Sequence, residues 1–249
     1  MPIVFSIRLF LYLILGFVAA TIIGTISHES THYIAAKNLG YGAKLGYQSV
    51  SIDAKKRFSK LDSLYKADEE KILSEENSPE KEYFLNYRNS LSDTVQREHF
   101  IFIVCAPIQT MATGTIGFLI LWFNRKKIWQ KSSLSVTDWI WILLGFFWSR
   151  QVANILVAIV NYLFTGEMSY KGDEVKISTY LFSLKRESSF LALNSVGIIT
   201  GIIGSIILAY ITFFIIPKKQ RFTFIAAGIT GSAIGWIVWM ETLGPVILP

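Results

Sequence analysis

Several residue types are scarce in this chain, and each shortage limits what the protein can be. Among 249 residues there is one cysteine, Cys105, so no internal disulfide can form and the sequence gives no redox information. Only 17% of the residues are charged, whereas 52% are hydrophobic. The chain contains no sequence repeat, no low-complexity tract and no nucleic-acid-binding motif. This composition favours a membrane protein.

Charge is also missing from five long stretches, which are candidate membrane spans. An uncharged run of roughly 18 or more residues can cross a bilayer as a helix. The stretches are residues 9–27, 100–124, 139–166, 188–217 and 222–240, and only Arg150 interrupts the third. The first is too long for a signal peptide and lacks a small-residue cleavage site, so we expect it to be retained. The predicted fold is an all-α, polytopic membrane helix bundle of about five spans.

The polar segments between the spans have their own character. Residues 53–98 carry 9 Lys/Arg and 11 Asp/Glu, which predicts a polar helical insertion broken near Asn77-Ser78-Pro79. Residues 41–52 contain glycine and a loose alternation of apolar and polar residues at Val50 and Ile52, which predicts a short β segment after the first span. The net charge of +6 is concentrated in 125–127 and 218–221. Such clusters flank spans at lipid headgroups more often than they bind nucleic acid.

Histidine is scarce as well, and two of the three histidines form one pattern. The run His28-Glu29-Ser30-Thr31-His32 follows the first apolar stretch directly. Residues four apart on a helix share a face, so both imidazoles can reach one Zn²⁺. Glu29, one residue further round, is the candidate catalytic base for the attacking water. The alternative is a helix end with two exposed histidines and an acid between them.

A zinc hydrolase needs a third protein ligand and an open position for water. Asp173 is the favoured candidate, because the second span crosses the membrane away from His28 and His32 and the third span returns the chain to their side. Glu167 and Glu174 on the same loop, and His99 at the start of the second span, are alternative ligands. An ordinary charged loop is the competing interpretation.

The motif and its surroundings resemble the site-2 protease family of intramembrane zinc metalloproteases. The run HESTHYIAAKNLG, residues 28–40, is similar to that family's H-E-x-x-H, small-residue turn and glycine, and Ala106-Pro107 is similar to its small-Pro turn. The resemblance covers roughly residues 9–174 and implies an aspartate ligand two spans after the motif, matched in order by Asp173. Three features depart from the family pattern: Gly172-Asp173-Glu174 replaces Leu-Asp-Gly, Thr31 replaces a glycine, and 53–98 is not a recognisable peptide-binding module.

The resemblance implies a zinc-dependent intramembrane peptidase. We therefore expect a membrane-embedded metalloendopeptidase with Zn²⁺ as cofactor, acting on a transmembrane or membrane-associated peptide and binding no nucleic acid. The expected location is the inner (cell) membrane of a bacterium. The chain divides into a first span with the metal-binding motif (1–40), an extramembrane strand and polar insertion (41–98), two spans with an acidic ligand loop (99–187) and two last spans (188–249).

Several interpretations stay open at this point. The protein can instead be a membrane scaffold with a metal or vestigial site, or a zinc hydrolase acting on an amphiphile. Arg150 in the third span can pair with Glu29 or Glu241, or line a water path. The segment 44–52 is predicted to be a strand whose edge pairs with an unwound substrate, or only braces the metal helix. Glycine faces on the last two spans favour close helix packing over a moving gate.

Overall fold

The fold is given by a computed structural model that describes residues 5–131, 133–166, 172–185 and 187–249. It is 82% helical, and five helices are long and apolar enough to cross a membrane. In chain order the elements are α1 (Ile7–Asn38), β1 (Gly42–Leu45), β2 (Val50–Asp53), α2 (Lys55–Ala67), α3 (Glu69–Leu73), α4 (Pro79–Trp129), α5 (Val136–Gly145), α6 (Ser149–Thr165), α7 (Asp173–Leu181), α8 (Phe190–Leu193), α9 (Ser195–Tyr210), α10 (Lys218–Ile237) and α11 (Gly244–Ile247). The predicted all-α bundle of five spans is confirmed, and the protein is an integral, multi-pass membrane protein.

The membrane helices extend beyond the uncharged stretches that predicted them. α1 begins after Ser6, whose side chain caps Leu9 N–H, and continues through the histidine motif to Asn38. α4 begins at Pro79, capped by Ser78, and runs without a break to Trp129. The predicted helix break at 77–79 is therefore present, but no structural break occurs at 98–99. Charged residues end a membrane span without ending the helix, because helical hydrogen bonding continues equally well in water.

The predicted short β segment after the first span is confirmed, but the single strand expected over 44–52 is wrong, because this segment turns back on itself as a hairpin. β1 and β2 form an antiparallel hairpin in which Gly42 faces Asp53 and Leu45 faces Val50. Gly46 N–H donates to Ser49 O over 2.9 Å at the turn. A two-strand hairpin satisfies inner backbone groups that a lone strand leaves unpaired, and it leaves one outer edge on each strand.

The last two spans pack through their glycine faces, as predicted. On α10, a Cβ at Gly231 would lie 2.8 Å from Phe17 Cβ, so only glycine permits α1 to approach this closely. On α9, a Cβ at Gly201 would lie 2.6 Å from Ile155 Cγ2 of α6. Small residues allow membrane helices to approach at backbone distance. The bundle therefore contains two tightly packed pairs, α1 with α10 and α6 with α9.

Candidate metal centre

Three candidate ligands from two distant parts of the chain meet at one point. The Nε2 atoms of His28 and His32 each lie 3.2 Å from Oδ2 of Asp173. One ligand atom from each of the three residues lies within 4.8 Å of the other two. The histidines come from one face of α1, and Asp173 is the first residue of α7. The structure thus brings together the three residues for which the sequence predicted a shared metal.

The second ring nitrogen of each imidazole, Nδ1, lies within hydrogen-bond distance of an oxygen atom on α4. His32 Nδ1 lies 2.7 Å from the carbonyl oxygen of Phe102, and His28 Nδ1 lies 3.1 Å from Oγ1 of Thr110. A carbonyl only accepts hydrogen bonds, so Nδ1 of His32 carries a hydrogen and donates it. In the neutral ring, Nε2 then presents its lone pair towards Asp173. This arrangement, with an outer partner fixing the tautomer, is typical of metal-binding histidines.

Sequence reasoning did not find these two outer partners. They lie 70 and 82 positions from the histidines that they contact. The signal that points to this turn is Pro107, which lies inside α4 and has no N–H to donate to the carbonyl one turn earlier. The carbonyl that the proline leaves without this donor belongs to Ile103, next to Phe102, so Pro107 marks this part of α4 without predicting the contact with His32.

Asp173 carries a negative charge at the first turn of α7. Burial alone would raise the pKa of the Asp173 carboxyl. In the metal-free protein, an imidazole of His28 or His32 that carries a proton on Nε2 donates it to this carboxylate, which outweighs burial and holds the pKa of Asp173 well below its usual range. Lys176 Nζ lies 3.7 Å from Oδ1, the oxygen that does not face the histidines. An ionised carboxylate with one oxygen free to bind is the state that a metal ligand requires.

Glu29 lies beside this group without belonging to it. It is buried, with 7% of its surface exposed, and it lines the same cleft as His32 and Asp173. Its Oε1 lies 3.9 Å from Nη2 of Arg150, so of the two carboxylates predicted to pair with Arg150 the structure selects Glu29. An acid next to three candidate ligands, facing open space, is positioned to handle a proton of an attacking water.

The alternative ligands lie elsewhere or outside the described residues. Glu174 is buried, and its Oε1 accepts a hydrogen bond of 3.1 Å from Asn154 Nδ2 on α6. His99 stacks against Phe102, with ring centroids 6.5 Å apart, and is not part of the three-residue group. Glu167 lies outside the described residues. Within the described ranges, Asp173 is therefore the acid that meets both histidines.

The Asn154–Glu174 contact holds α7, and with it Asp173, against α6. Replacing Asn154 with leucine removes the donor and leaves a buried carboxylate unpaired, so we expect α7 to shift. Loss of a hydrogen-bond partner of a metal ligand typically weakens metal binding about 10–100-fold. Asn154 contacts Glu174, the neighbour of the candidate ligand, so we expect a loss of zinc affinity at the lower end of that range, about 10-fold, measured by competition with a chelator. Asn161→Leu, on the same helix, is the control and should bind zinc as the wild type does. Equal affinities in both variants would contradict this role.

A large cleft connects the group to the interior of the bundle. It has a volume of about 860 Å³ and is bounded by α1, α6, α10, the start of α7 and the hairpin turn. Its polar end contains Glu29, Asp173, Arg150 and Asn154, whereas its deep end is lined by aromatic and aliphatic side chains.

The chain matches no protein-family model, no curated protein and no solved structure.

Proposed function

We propose that this protein is a zinc-dependent intramembrane peptidase, similar in mechanism to the site-2 protease family, which hydrolyses peptide bonds of transmembrane or membrane-associated substrates. The observation that carries the proposal is the meeting of His28, His32 and Asp173 beside Glu29, in a cleft between membrane helices. Two nitrogens and one carboxylate oxygen are a donor set that Zn²⁺ favours in hydrolases, with a position left for water.

The charges in the group also favour a metal over a proton. A lone-pair nitrogen and a carboxylate oxygen repel each other unless a cation lies between them. A single proton can bridge Asp173 to only one imidazole at a time. Protonating both rings would place two cations with ring centroids 5.0 Å apart in a buried site, at a high electrostatic cost. One divalent cation reached by all three side chains removes both problems.

The chain's own residues then divide the work of peptide hydrolysis. Zn²⁺ held by His28, His32 and Asp173 would supply Lewis acidity towards water and the substrate carbonyl. Glu29 accepts a proton as the water oxygen bonds to the carbonyl carbon. It returns that proton to the nitrogen as the C–N bond breaks, so the products are a carboxylic acid and an amine. Thr110 and the Phe102 carbonyl keep the imidazoles in the binding orientation.

The position of the site within the spans supports a membrane substrate. The histidines lie on α1 inside a helix that crosses the bilayer, and α4 contacts them with residues of its own membrane-spanning half. A substrate that reaches this cleft arrives from the bilayer or from its surface. A bacterial inner membrane is the location that we propose with this function.

Cleavage of a defined membrane peptide tests the proposal. The purified, zinc-loaded protein is reconstituted in liposomes with a library of synthetic single-span peptides of about 25 residues, each carrying a fluorophore and a quencher. We expect cleavage that chelation stops and added Zn²⁺ restores. A zinc-bound protein that cleaves none of them, while hydrolysing an ester- or amide-linked lipid, would replace this proposal with the amphiphile hydrolase.

That second candidate has one observation in its favour, which is the deep end of the cleft. Phe17, Leu143, Phe146 and Phe147 line it, and such a surface suits an acyl chain as well as apolar side chains. A lipid substrate needs no strand edge, whereas an unwound peptide benefits from one. The hairpin therefore separates the two candidates.

The outer edge of β2 is available for pairing with an extended peptide. Because Gly46 bonds to Ser49, the antiparallel alternation directs the N–H and C=O of Val50 away from β1. Val50 also lines the cleft, and residues 51–53 are exposed. We therefore propose that a substrate strand adds to β2 next to the metal group, as in other cases of β-augmentation.

A proline at Val50 tests this pairing. Val50→Pro removes one outward N–H at an edge position, where proline is tolerated. We expect peptide cleavage to fall about tenfold, the effect of roughly one lost hydrogen bond, with zinc content unchanged. Val50→Ala, which keeps the N–H, is the control. Normal cleavage by Val50→Pro would mean that the hairpin only braces α1.

A further inference from the structure

We infer that Arg150 is a further catalytic residue, which binds the substrate's carbonyl oxygen and stabilises the negative charge that develops there. This inference rests on the proposed hydrolysis at the same site. A side chain of the protein, and not a metal alone, then stabilises the oxyanion.

Arg150 is placed in the cleft without a full set of partners. It lies near the start of α6, in the third span, and 32% of its side chain is exposed to the cleft. The 3.9 Å between its Nη2 and Oε1 of Glu29 is too long for a hydrogen bond. Its Nε is enclosed and has no hydrogen-bond partner among the described residues. The guanidinium is therefore near Glu29, but Glu29 does not accept hydrogen bonds from all of its donors.

A structural ion pair in the same protein has a different geometry. Lys131 Nζ contacts both carboxylate oxygens of Asp138, at 2.9 and 2.6 Å, and that pair joins the ends of two helices. A cation within a membrane span is costly unless it is paired or hydrated. Among the described residues Arg150 has no carboxylate contact as short as this one, because Glu29 lies 3.9 Å away. Its partly exposed side chain lines the cleft, so an acceptor that enters the cleft can receive hydrogen bonds from it.

The chemistry of hydrolysis identifies that acceptor. Glu29 has to touch the attacking water, and the water oxygen has to reach the carbonyl carbon, so the carbonyl oxygen lies within a few ångströms of Glu29. As the water oxygen bonds to carbon, the C=O π pair moves onto that oxygen. The guanidinium then donates hydrogen bonds to it. The pair returns when the C–N bond breaks and the amine leaves with the proton from Glu29. Arg150 stays protonated throughout and its fork of donors suits an oxygen anion.

The test compares Arg150→Gln and Arg150→Lys with Gln151→Leu, a control on the same helix. Gln151 is buried, and Thr200 donates to its Oε1, so its side chain faces α9 rather than the cleft. For Arg150→Gln we expect kcat to fall about 100-fold, as when an oxyanion donor is removed, with KM within threefold of wild type. Arg150→Lys should recover part of the loss. Zinc content and thermal stability should not change.

A second readout does not depend on turnover. A phosphinic peptide carries a tetrahedral anion in place of the scissile bond, and an uncleavable N-methyl amide peptide of the same sequence does not. Arg150→Gln should lose about 100-fold in affinity for the phosphinic peptide, as expected for an interaction made only with the transition state, and little for the amide. Gln151→Leu should bind both as the wild type does.

Three results with the Arg150→Gln variant would each overturn the inference. They are an unchanged kcat in Arg150→Gln, a loss confined to KM, or an equal loss of affinity for both peptides, which would indicate a structural role. If Arg150→Gln fails to fold, Arg150→Lys carries the comparison, and full activity with unchanged phosphinic affinity in that variant would overturn it. Cleavage by the wild type with no effect at Arg150 removes only this inference. A zinc-loaded wild type that cleaves no peptide removes the proposed function and this inference with it.

Discussion

Replacing Glu29 with glutamine is expected to reduce peptide cleavage about a thousandfold while leaving bound zinc in place. Glutamine fills the same buried space but cannot accept a proton, and general-base catalysis by a positioned side chain is typically worth about 10²–10⁴ in rate. Glu29 is not one of the three candidate ligands, so its loss should not release the metal. The measurement is the single-turnover cleavage rate in liposomes together with zinc content.

Glu241→Gln is the matched control for this experiment, because Glu241 is also an acid of a membrane-spanning helix. It lies in the fifth span, is exposed, and is not among the residues that line the cleft. Its replacement should leave the cleavage rate within twofold of wild type. If Glu29→Gln cleaves as fast as Glu241→Gln, Glu29 is not the base.

Replacing His28 with alanine should remove zinc from the protein. Three protein ligands become two, and an enclosed position at the α1–α4 contact opens. The loss of zinc affinity should exceed the roughly 10–100-fold that follows removal of a ligand's hydrogen-bond partner. Thr110→Val, which removes the hydroxyl next to His28 Nδ1, is the variant for that comparison. His99→Ala is the control, since His99 is the third histidine of the chain and lies outside the group. Zinc retained by His28→Ala at wild-type affinity would exclude the proposed ligand set.

Much of the fold could be predicted because it follows from local properties. Five uncharged stretches predict five spans, since apolar length and helical hydrogen bonding are requirements of a bilayer. The pairing of His28 with His32 follows from helical periodicity alone. That Asp173 lies on their side of the membrane follows from counting spans, although its distance from them does not.

The remaining features depend on contacts between residues that are far apart in sequence. The turn at 46–49 depends on backbone pairing between β1 and β2. The continuity of α4 through 98–99 depends on helical hydrogen bonding that continues past the end of the apolar stretch. The proximity of Arg150 to Glu29 rather than to Glu241 depends on how α6 is placed and rotated relative to α1. Periodicity does not determine such rotations.

Zinc X-ray absorption on the purified wild-type protein tests the central claim most directly. We expect one zinc per chain, with a first shell of two imidazole nitrogens and light oxygen donors at about 2.0–2.2 Å, and an imidazole signal that His28→Ala loses while His99→Ala keeps it. A protein without bound metal after zinc loading, or a shell that contains sulfur from Cys105 or lacks imidazole, would contradict the claim that His28, His32 and Asp173 form a zinc site.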